Sequence, residues 1–250
     1  MNQNETIGIL LYVFAYNHAL KIAEMDGRVS AEVHFLLNLM TERRELNVDF
    51  IAQNLDRCRK IEKAYQVKLL QENLEKEQVA NYIMDLEAKV RNQNIIDFVR
   101  SVSPILYRLF TSLLEAQVPE LWTYIHNSKN DQYDTWKFDV LQNSSNPVAQ
   151  TYVAQKRDSK VTSQSLVEFL ELTDLPADLK QVIKDLRKLE KSVRNPLAHL
   201  IKTFDEEELA RTTGFSSQDF LEKIIVLAEA VGVNYEFNYL TVNQLIKEHL

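Results

Sequence analysis

Arg194-Asn195-Pro196-Leu197-Ala198-His199 is the stretch of this 250-residue chain whose residue types and spacing could do chemistry. An imidazole can take or give a proton near neutral pH, and a guanidinium can hold charge that builds on a phosphate. The apolar steps Val182, Ile183, Leu186, Leu189 and Val193 predict a helix leading into the stretch. Pro196 has no N–H and suits the first position of a helix better than its interior. A break is therefore expected there, with Asn195 as the N-cap of a second helix. In an unbroken helix, side chains five apart point about 140° away from each other. A break would let Arg194 and His199 converge. The new N-terminus would also offer free N–H groups and a positive dipole end to a phosphate. Dipole and arginine both disfavour imidazolium, so part of the His199 population is expected to be neutral and able to take a proton.

The surrounding charge fits an anionic ligand. From Lys180 to Lys202 stand seven basic residues (Lys180, Lys184, Arg187, Lys188, Lys191, Arg194, Lys202) and two acids, Asp185 and Glu190, on a chain of net charge −7. A positive strip on an acidic body suits a polyanion gripped through its phosphates, with Arg187, Lys188, Lys191 and Lys202 as candidate contacts. A plain solvated helix face would have a similar composition. Spacing alone proves nothing, since chance supplies about 0.7 matches to an Arg-x(4–6)-His pattern in a chain with these residue counts. Arg28 and His34 also fit it, but Val29 follows that arginine, and Ser30 reads as the cap of a helix carrying His34. Asn195 beside the arginine, small Ala198 before the histidine and the expected break set the second match apart.

Four glycines and five prolines leave little punctuation, which favours long helices and an all-α fold. The lone cysteine, Cys58, allows no internal disulfide and has no ligand cluster around it, so neither a metal nor a cofactor is expected. The N-terminus does not read as a secretory signal, and the apolar run from Ile7 to Tyr16 is about half of a membrane span. A soluble cytoplasmic protein is expected. Helices are read from Thr6 to Met25, from Ser30, from Asp49 through Leu69, and from Lys76 to Val90. Ser103-Pro104 reads as an N-cap and first helical position for the stripe Leu106, Leu109, Phe110, Leu113 and Leu114. Residues 127–165 form an irregular insert with room for a short strand or helix. Its Tyr133, Trp136 and Tyr152 are open to two roles, stacking on bases or packing. Asp205 and Ser216 with Asp219 are candidate caps, Gly214 and Gly232 candidate helix ends, and a last short helix is read from Thr241 to Leu250. His18 and His34 read as structural or exposed, and His249 has no visible role.

Arg194, Asn195 and His199 together resemble the Arg-x4-His form of the HEPN ribonuclease signature. With the motif late in an all-helical domain and a helical region ahead of it, the chain resembles the accessory ribonucleases of type III CRISPR systems, the CARF–HEPN family. The resemblance implies a helical linker-type domain over residues 1–97 and a HEPN helical bundle over 98–250. It implies Arg194 and His199 as the catalytic pair and Asn195 as the polar residue beside the arginine. It also implies metal-independent cleavage of single-stranded RNA by 2′-OH attack, in antiviral defence, at a site formed where two copies pair. Such cleavage needs a base, an acid and positive charge on the phosphorane, which one Arg/His pair supplies only in part. A homodimer is expected on that ground. In the family a Rossmann-like CARF domain binds a cyclic oligoadenylate. No strand–helix alternation is seen here, so any such activation is expected to act through a CARF domain absent from this chain. Two other readings keep the same residues: a non-catalytic helical interaction module, and a HEPN toxin or abortive-infection ribonuclease with another trigger.

Overall fold

The computed structural model describes residues 3–25, 27, 29–126, 134–155, 159–197 and 203–250, and of 236–238 the backbone only. Among these residues the chain is helical apart from one two-stranded ribbon, and it divides into two compact units, residues 1–94 with 232–250, and residues 95–231. The fold is all-α, as composition and periodicity suggest.

The first unit begins with α1 (Gln3–Tyr12), α2 (Tyr16–Met25), α3 (Ala31–Arg44), α4 (Val48–Gln53), α5 (Leu55–Tyr65) and α6 (Leu74–Arg91). The single helix expected over 6–25 is two. Phe14 takes a left-handed conformation (φ 58°), and the turn there lets α1 and α2 pack on each other, with Ile7, Leu11, Tyr16 and Ala19 buried. The third expected helix is also split. Asn47, not Asp49, caps α4 by accepting from the Phe50 N–H at 3.2 Å. The chain breaks at Asn54, and left-handed Gln66 (φ 54°) ends α5 before Leu69. Ser30 caps α3 as read, through the Val33 N–H at 3.2 Å.

The second unit is built on α7 (Ile95–Gln117), which buries Phe98, Val99, Val102, Leu106, Leu109, Phe110 and Leu114. This helix does not start at Ser103-Pro104; it runs through them. Pro104 gives the Arg100 carbonyl no N–H, a cost offset by the tertiary packing of a long amphipathic helix. Next come β1 (Ile125–His126) and β2 (Thr135–Trp136), antiparallel with Ile125 opposite Trp136, then α8 (Phe138–Gln142) and α9 (Pro147–Gln155). Two of the candidate stacking residues are core. Trp136 and Tyr152 are buried, and the Tyr152 ring stacks on Phe169 at 4.4 Å, so neither presents a face to a base. Tyr133 lies outside the described residues. The unit is completed by α10 (Ser163–Glu171), α11 (Ala177–Leu189), a π-helical turn (Glu190–Arg194), α12 (Asn195–Leu197), α13 (Glu206–Thr213) and α14 (Ser217–Ala230). Helices α10, α11 and α14 and the π turn all pack against α7. Asp205 caps α13 and the Ser216/Asp219 capping box opens α14, while Gly214 (φ 84°) supplies the left-handed end of α13.

The last helix, α15 (Glu236–Glu248), is longer than its sequence pattern suggests and belongs to the first unit. Tyr16 donates to Asn243 Oδ1 at 2.9 Å, and Tyr239 donates to Asn81 Oδ1 at 3.0 Å. The compact units thus divide the chain at Asn94/Ile95, near the 97/98 boundary drawn from sequence, but return the C-terminal helix to the N-terminal unit. Within this unit a fully buried ion pair joins α3 to α6, Arg43 to Glu77 at 2.9 Å. Burial, the largest influence, opposes the Arg43 charge, but the Glu77 carboxylate together with Tyr239 and Cys58 holds the guanidinium above its ordinary pKa. No described helix is long and apolar enough to cross a membrane.

Candidate active site

The helix does not break at Asn195-Pro196. Asn195 is helical (φ −64°, ψ −45°), and its N–H reaches back to the carbonyl of Glu190, five residues earlier. That single wide turn explains how proline is tolerated. An α-helical turn would drive the Pro196 ring into the carbonyl four residues before it, and widening the turn ahead of the proline relieves that contact. Asn195 is therefore not an N-cap, and no helix N-terminus with free N–H groups exists at this point for a phosphate. The positive charge of the site must come from side chains. His199 and Lys202 lie outside the described residues, as does Arg28 of the competing match.

The π turn is braced by a buried carboxylate. Glu190 is 6% exposed and accepts from Ser103 Oγ at 2.8 Å, Ser163 Oγ at 3.2 Å and Arg187 Nη1 at 3.0 Å. Ser103, read from sequence as a cap, spends its hydroxyl on this long-range bond. Arg187 is held further by Gln164, which accepts from its Nε at 3.0 Å. Arg100, one turn before Ser103 on α7, donates to the Leu197 carbonyl at 3.3 Å. Farther along the same face, Tyr107 donates to Asp134 Oδ2 at 2.8 Å. Burial, then the Asp134 carboxylate, pushes the Tyr107 hydroxyl well above the ordinary phenol range, so it remains a donor.

Arg194 is half-buried beside exposed Asn195 and donates to its Oδ1 at 3.3 Å. Its Nε has no hydrogen-bond partner among the described residues. Both side chains line an open cavity of about 650 Å³, together with Ser103, Tyr107, Asp134, Arg187 and Glu190. A guanidinium and a carboxamide at the mouth of such a cavity can hold a phosphate without help from a helix dipole.

The basic strip is less uniform than its composition. Lys180 donates to the carbonyls of Glu171 and Thr173, Lys184 pairs with Glu171 at 3.0 Å, and Arg187 is committed to Glu190. Lys188 donates to the Thr213 carbonyl at the end of α13, 3.1 Å away. Lys191 is exposed and has no partner among the described residues. Of the candidate RNA contacts, then, Arg187 lines the cavity, Lys188 holds a helix end, and Lys191 is exposed with no partner among the described residues. Sequence reasoning missed Glu190, Ser103, Ser163, Tyr107 and Asp134. One sign was there to read, because Glu190 is an acid four positions before Arg194, one turn away on the motif helix. Among the described residues no group of three or more His, Cys, Asp and Glu side chains is placed to hold a metal ion.

With this geometry in view, comparison with known proteins gives a consistent answer. The Cas_Csm6 HEPN domain family matches residues 68–247, well over half of the chain, and the protein belongs to that family. Its fold is similar to that of Enterococcus italicus Csm6 bound to cyclic hexa-2′-fluoro-hexa-dAMP, with a TM-score of 0.72 and 16% sequence identity. The likeness covers 99% of this chain and 57% of that one, so the chain spans little more than half the length of that protein. At this identity the likeness is one of fold. No curated protein matches the sequence.

Proposed function

We propose that the chain is a metal-independent endoribonuclease of a CRISPR system, cutting single-stranded RNA at a site shared by two copies. The observation that carries the reading is Arg194 and Asn195 side by side at the end of a π turn, open to a cavity, in a chain of the Csm6 HEPN family. In the reaction the ribose 2′-oxygen bonds to the adjacent phosphorus and the bond from phosphorus to the 5′-oxygen breaks. His199 takes the 2′-hydroxyl proton, and the leaving 5′-oxygen gains one from the partner copy's histidine. Arg194 offsets the negative charge on the phosphorane, and Asn195 holds a non-bridging oxygen. The products are a 2′,3′-cyclic phosphate and a 5′-hydroxyl. One copy offers one proton-transfer group, and the reaction uses two, which is the reason for pairing. Any response to a cyclic oligoadenylate is assigned to a CARF-type domain and not to either helical unit described here.

The test is a cleavage assay on single-stranded RNA with wild-type protein and His199→Ala, with and without EDTA. Wild type is expected to cut in EDTA and leave cyclic phosphate ends, while the variant keeps its circular dichroism spectrum and loses at least about 100-fold in rate. Equal rates in both proteins would return the motif to a packing role in a non-catalytic helical module.

A further inference from the structure

Beyond the motif, the cavity changes character along α7. Arg100, outside the lining, reaches the Leu197 carbonyl beside the motif; within the cavity Ser103 reaches Glu190, and at the far end Tyr107 reaches Asp134. Seven residues of helix separate the first and last of these, about 10 Å. Donors gather at the motif end, in Arg194, Asn195 and Arg187. The far end is different. Pro104, Val161 and the Tyr107 ring give it apolar walls, and Asp134 gives it a carboxylate.

Most polar groups lining the cavity are already spent within the protein. Gln164 uses its oxygen on Arg187 and its nitrogen on Glu168 Oε1 at 2.5 Å, and both serine hydroxyls are given to Glu190. Away from the motif end, where Arg194 and Asn195 stay open, Asp134 is the lining group with acceptor capacity to spare. Its Oδ2 accepts from Tyr107, and its Oδ1 has no donor among the described residues. A carboxylate can only accept, so it selects a ligand edge that presents N–H groups. The nucleobases differ sharply by that criterion. Guanine presents N1–H and an N2 amino group side by side, matching two carboxylate oxygens. Adenine and cytosine present one amino group beside a ring nitrogen that accepts. Uracil presents one N–H between two carbonyls, which repel a carboxylate.

We propose that this cavity is a nucleobase subsite in which Asp134 takes the edge of a guanine flanking the phosphate held by Arg194. The volume, about 650 Å³, falls within the range of sites that enclose small ligands. The proposal rests on the ribonuclease reading for its place in a reaction, but not for the binding itself. The Tyr107 hydroxyl holds the carboxylate in position, and the apolar walls cover the faces of the base.

Two measurements test it. In the first, equilibrium dialysis compares the 3′-monophosphates of guanosine, adenosine, cytidine and uridine on wild type, Asp134→Asn and Tyr107→Phe. Guanosine 3′-monophosphate is expected to bind wild type between about fivefold and 150-fold more tightly than the uridine nucleotide. That ratio should fall to near one in Asp134→Asn and decline only partly in Tyr107→Phe, where ring and carboxylate remain. Equal binding of all four, binding of none, or an unchanged ratio in Asp134→Asn overturns the proposal. In the second, cleavage sites on a mixed-sequence RNA are mapped, with guanine expected at one of the two positions flanking the cut. Cleavage with no base preference, together with equal nucleotide binding, removes the subsite and leaves the ribonuclease standing. Asp134-dependent guanosine binding in a protein that cuts no RNA removes the ribonuclease and leaves the subsite.

Discussion

Each unit carries an arginine–glutamate pair inside a helical bundle, and the two are used differently. In the first, Arg43 is fully enclosed; it meets Glu77 at 2.9 Å, donates to the Leu69 carbonyl and lies 5.6 Å from the centre of the Tyr239 ring. In the second, two arginines flank one carboxylate and only one of them pairs with it. Arg187 satisfies Glu190, and Arg194, one turn on, is left with its neighbour Asn195 and an open cavity. An unpartnered Nε does not separate them, since Arg43 and Arg194 both have one. Access does. A pair closed on all sides holds helices together, whereas a neutralised pair beside a third charge leaves that charge for a ligand. Glu190 thus allows Arg194 to sit against protein without forming an ion pair of its own.

The widest gap between the two regions should appear on truncating each arginine. Arg43→Ala leaves Glu77 as a buried, uncompensated charge and is expected to cost about 3–5 kcal/mol of stability. Arg194→Ala leaves no buried carboxylate behind, because Glu190 keeps Arg187. It should cost at most about 1 kcal/mol of stability and at least about 100-fold in RNA cleavage, the scale of losing an oxyanion-type donor. Urea unfolding and a cleavage assay on both variants check this. Loss of stability in Arg194→Ala equal to that in Arg43→Ala would collapse the distinction.

What could be read from sequence follows from the range of the interactions involved. Caps at Ser30, Asp205 and Ser216 were legible because each is settled within three residues. Ser103-Pro104 and Asn195-Pro196 carry the same local signs of a helix start, and both lie inside helices. At the first, the serine hydroxyl is taken by Glu190, 87 positions away; at the second, a π turn absorbs the proline. Neither event leaves a local trace. Phe14 and Gln66 end helices in left-handed conformations that glycine usually supplies, so their breaks were hidden behind continuous apolar periodicity. Arg194 and Asn195 were legible as a pair of chemical types. The cavity they open on depends on Tyr107, Asp134 and Ser163, which come together through the packing of α7 on α10 and the backbone bond from Val161 to the Asp134 carbonyl.

A gentler substitution sharpens the comparison of the two carboxylates. Gln can replace Glu at either position and still accept hydrogen bonds, but it cannot neutralise an arginine. Arg43 has no exposed surface, so Glu77→Gln strands a buried cation. Arg187 keeps 18% of its side-chain surface and can turn toward water, so Glu190→Gln should cost less, about 1–3 kcal/mol. The order of the two unfolding midpoints is the readout. Cleavage by Glu190→Gln should fall less than tenfold, since the serine bonds that brace the π turn survive. A larger drop without loss of stability would show that the Glu190 charge, and not only its shape, acts on the site.

The smallest effects separate two lysines that composition makes look alike. Lys188 donates to the Thr213 carbonyl at the C-terminus of α13, where a cation interacts favourably with the exposed carbonyls and the dipole. Lys188→Ala should cost about 0.3–1 kcal/mol of stability. Lys191 is exposed, with no partner among the described residues, so Lys191→Ala should leave stability unchanged. Its effect is expected on RNA binding. If Lys191 contacts a phosphate, removing it weakens binding of all sequences alike and lowers the salt dependence by about 0.7 in log K against log salt, the single-strand value for one contact. Lys188→Ala should change that slope by less, because its ammonium is already engaged. Fluorescence anisotropy with a short single-stranded RNA, titrated at several salt concentrations in the His199→Ala background, which is expected not to cleave, measures both slopes. Equal slopes for the two variants would mean that the Thr213 contact does not hold Lys188 away from RNA, and the strip would then act as one uniform charge.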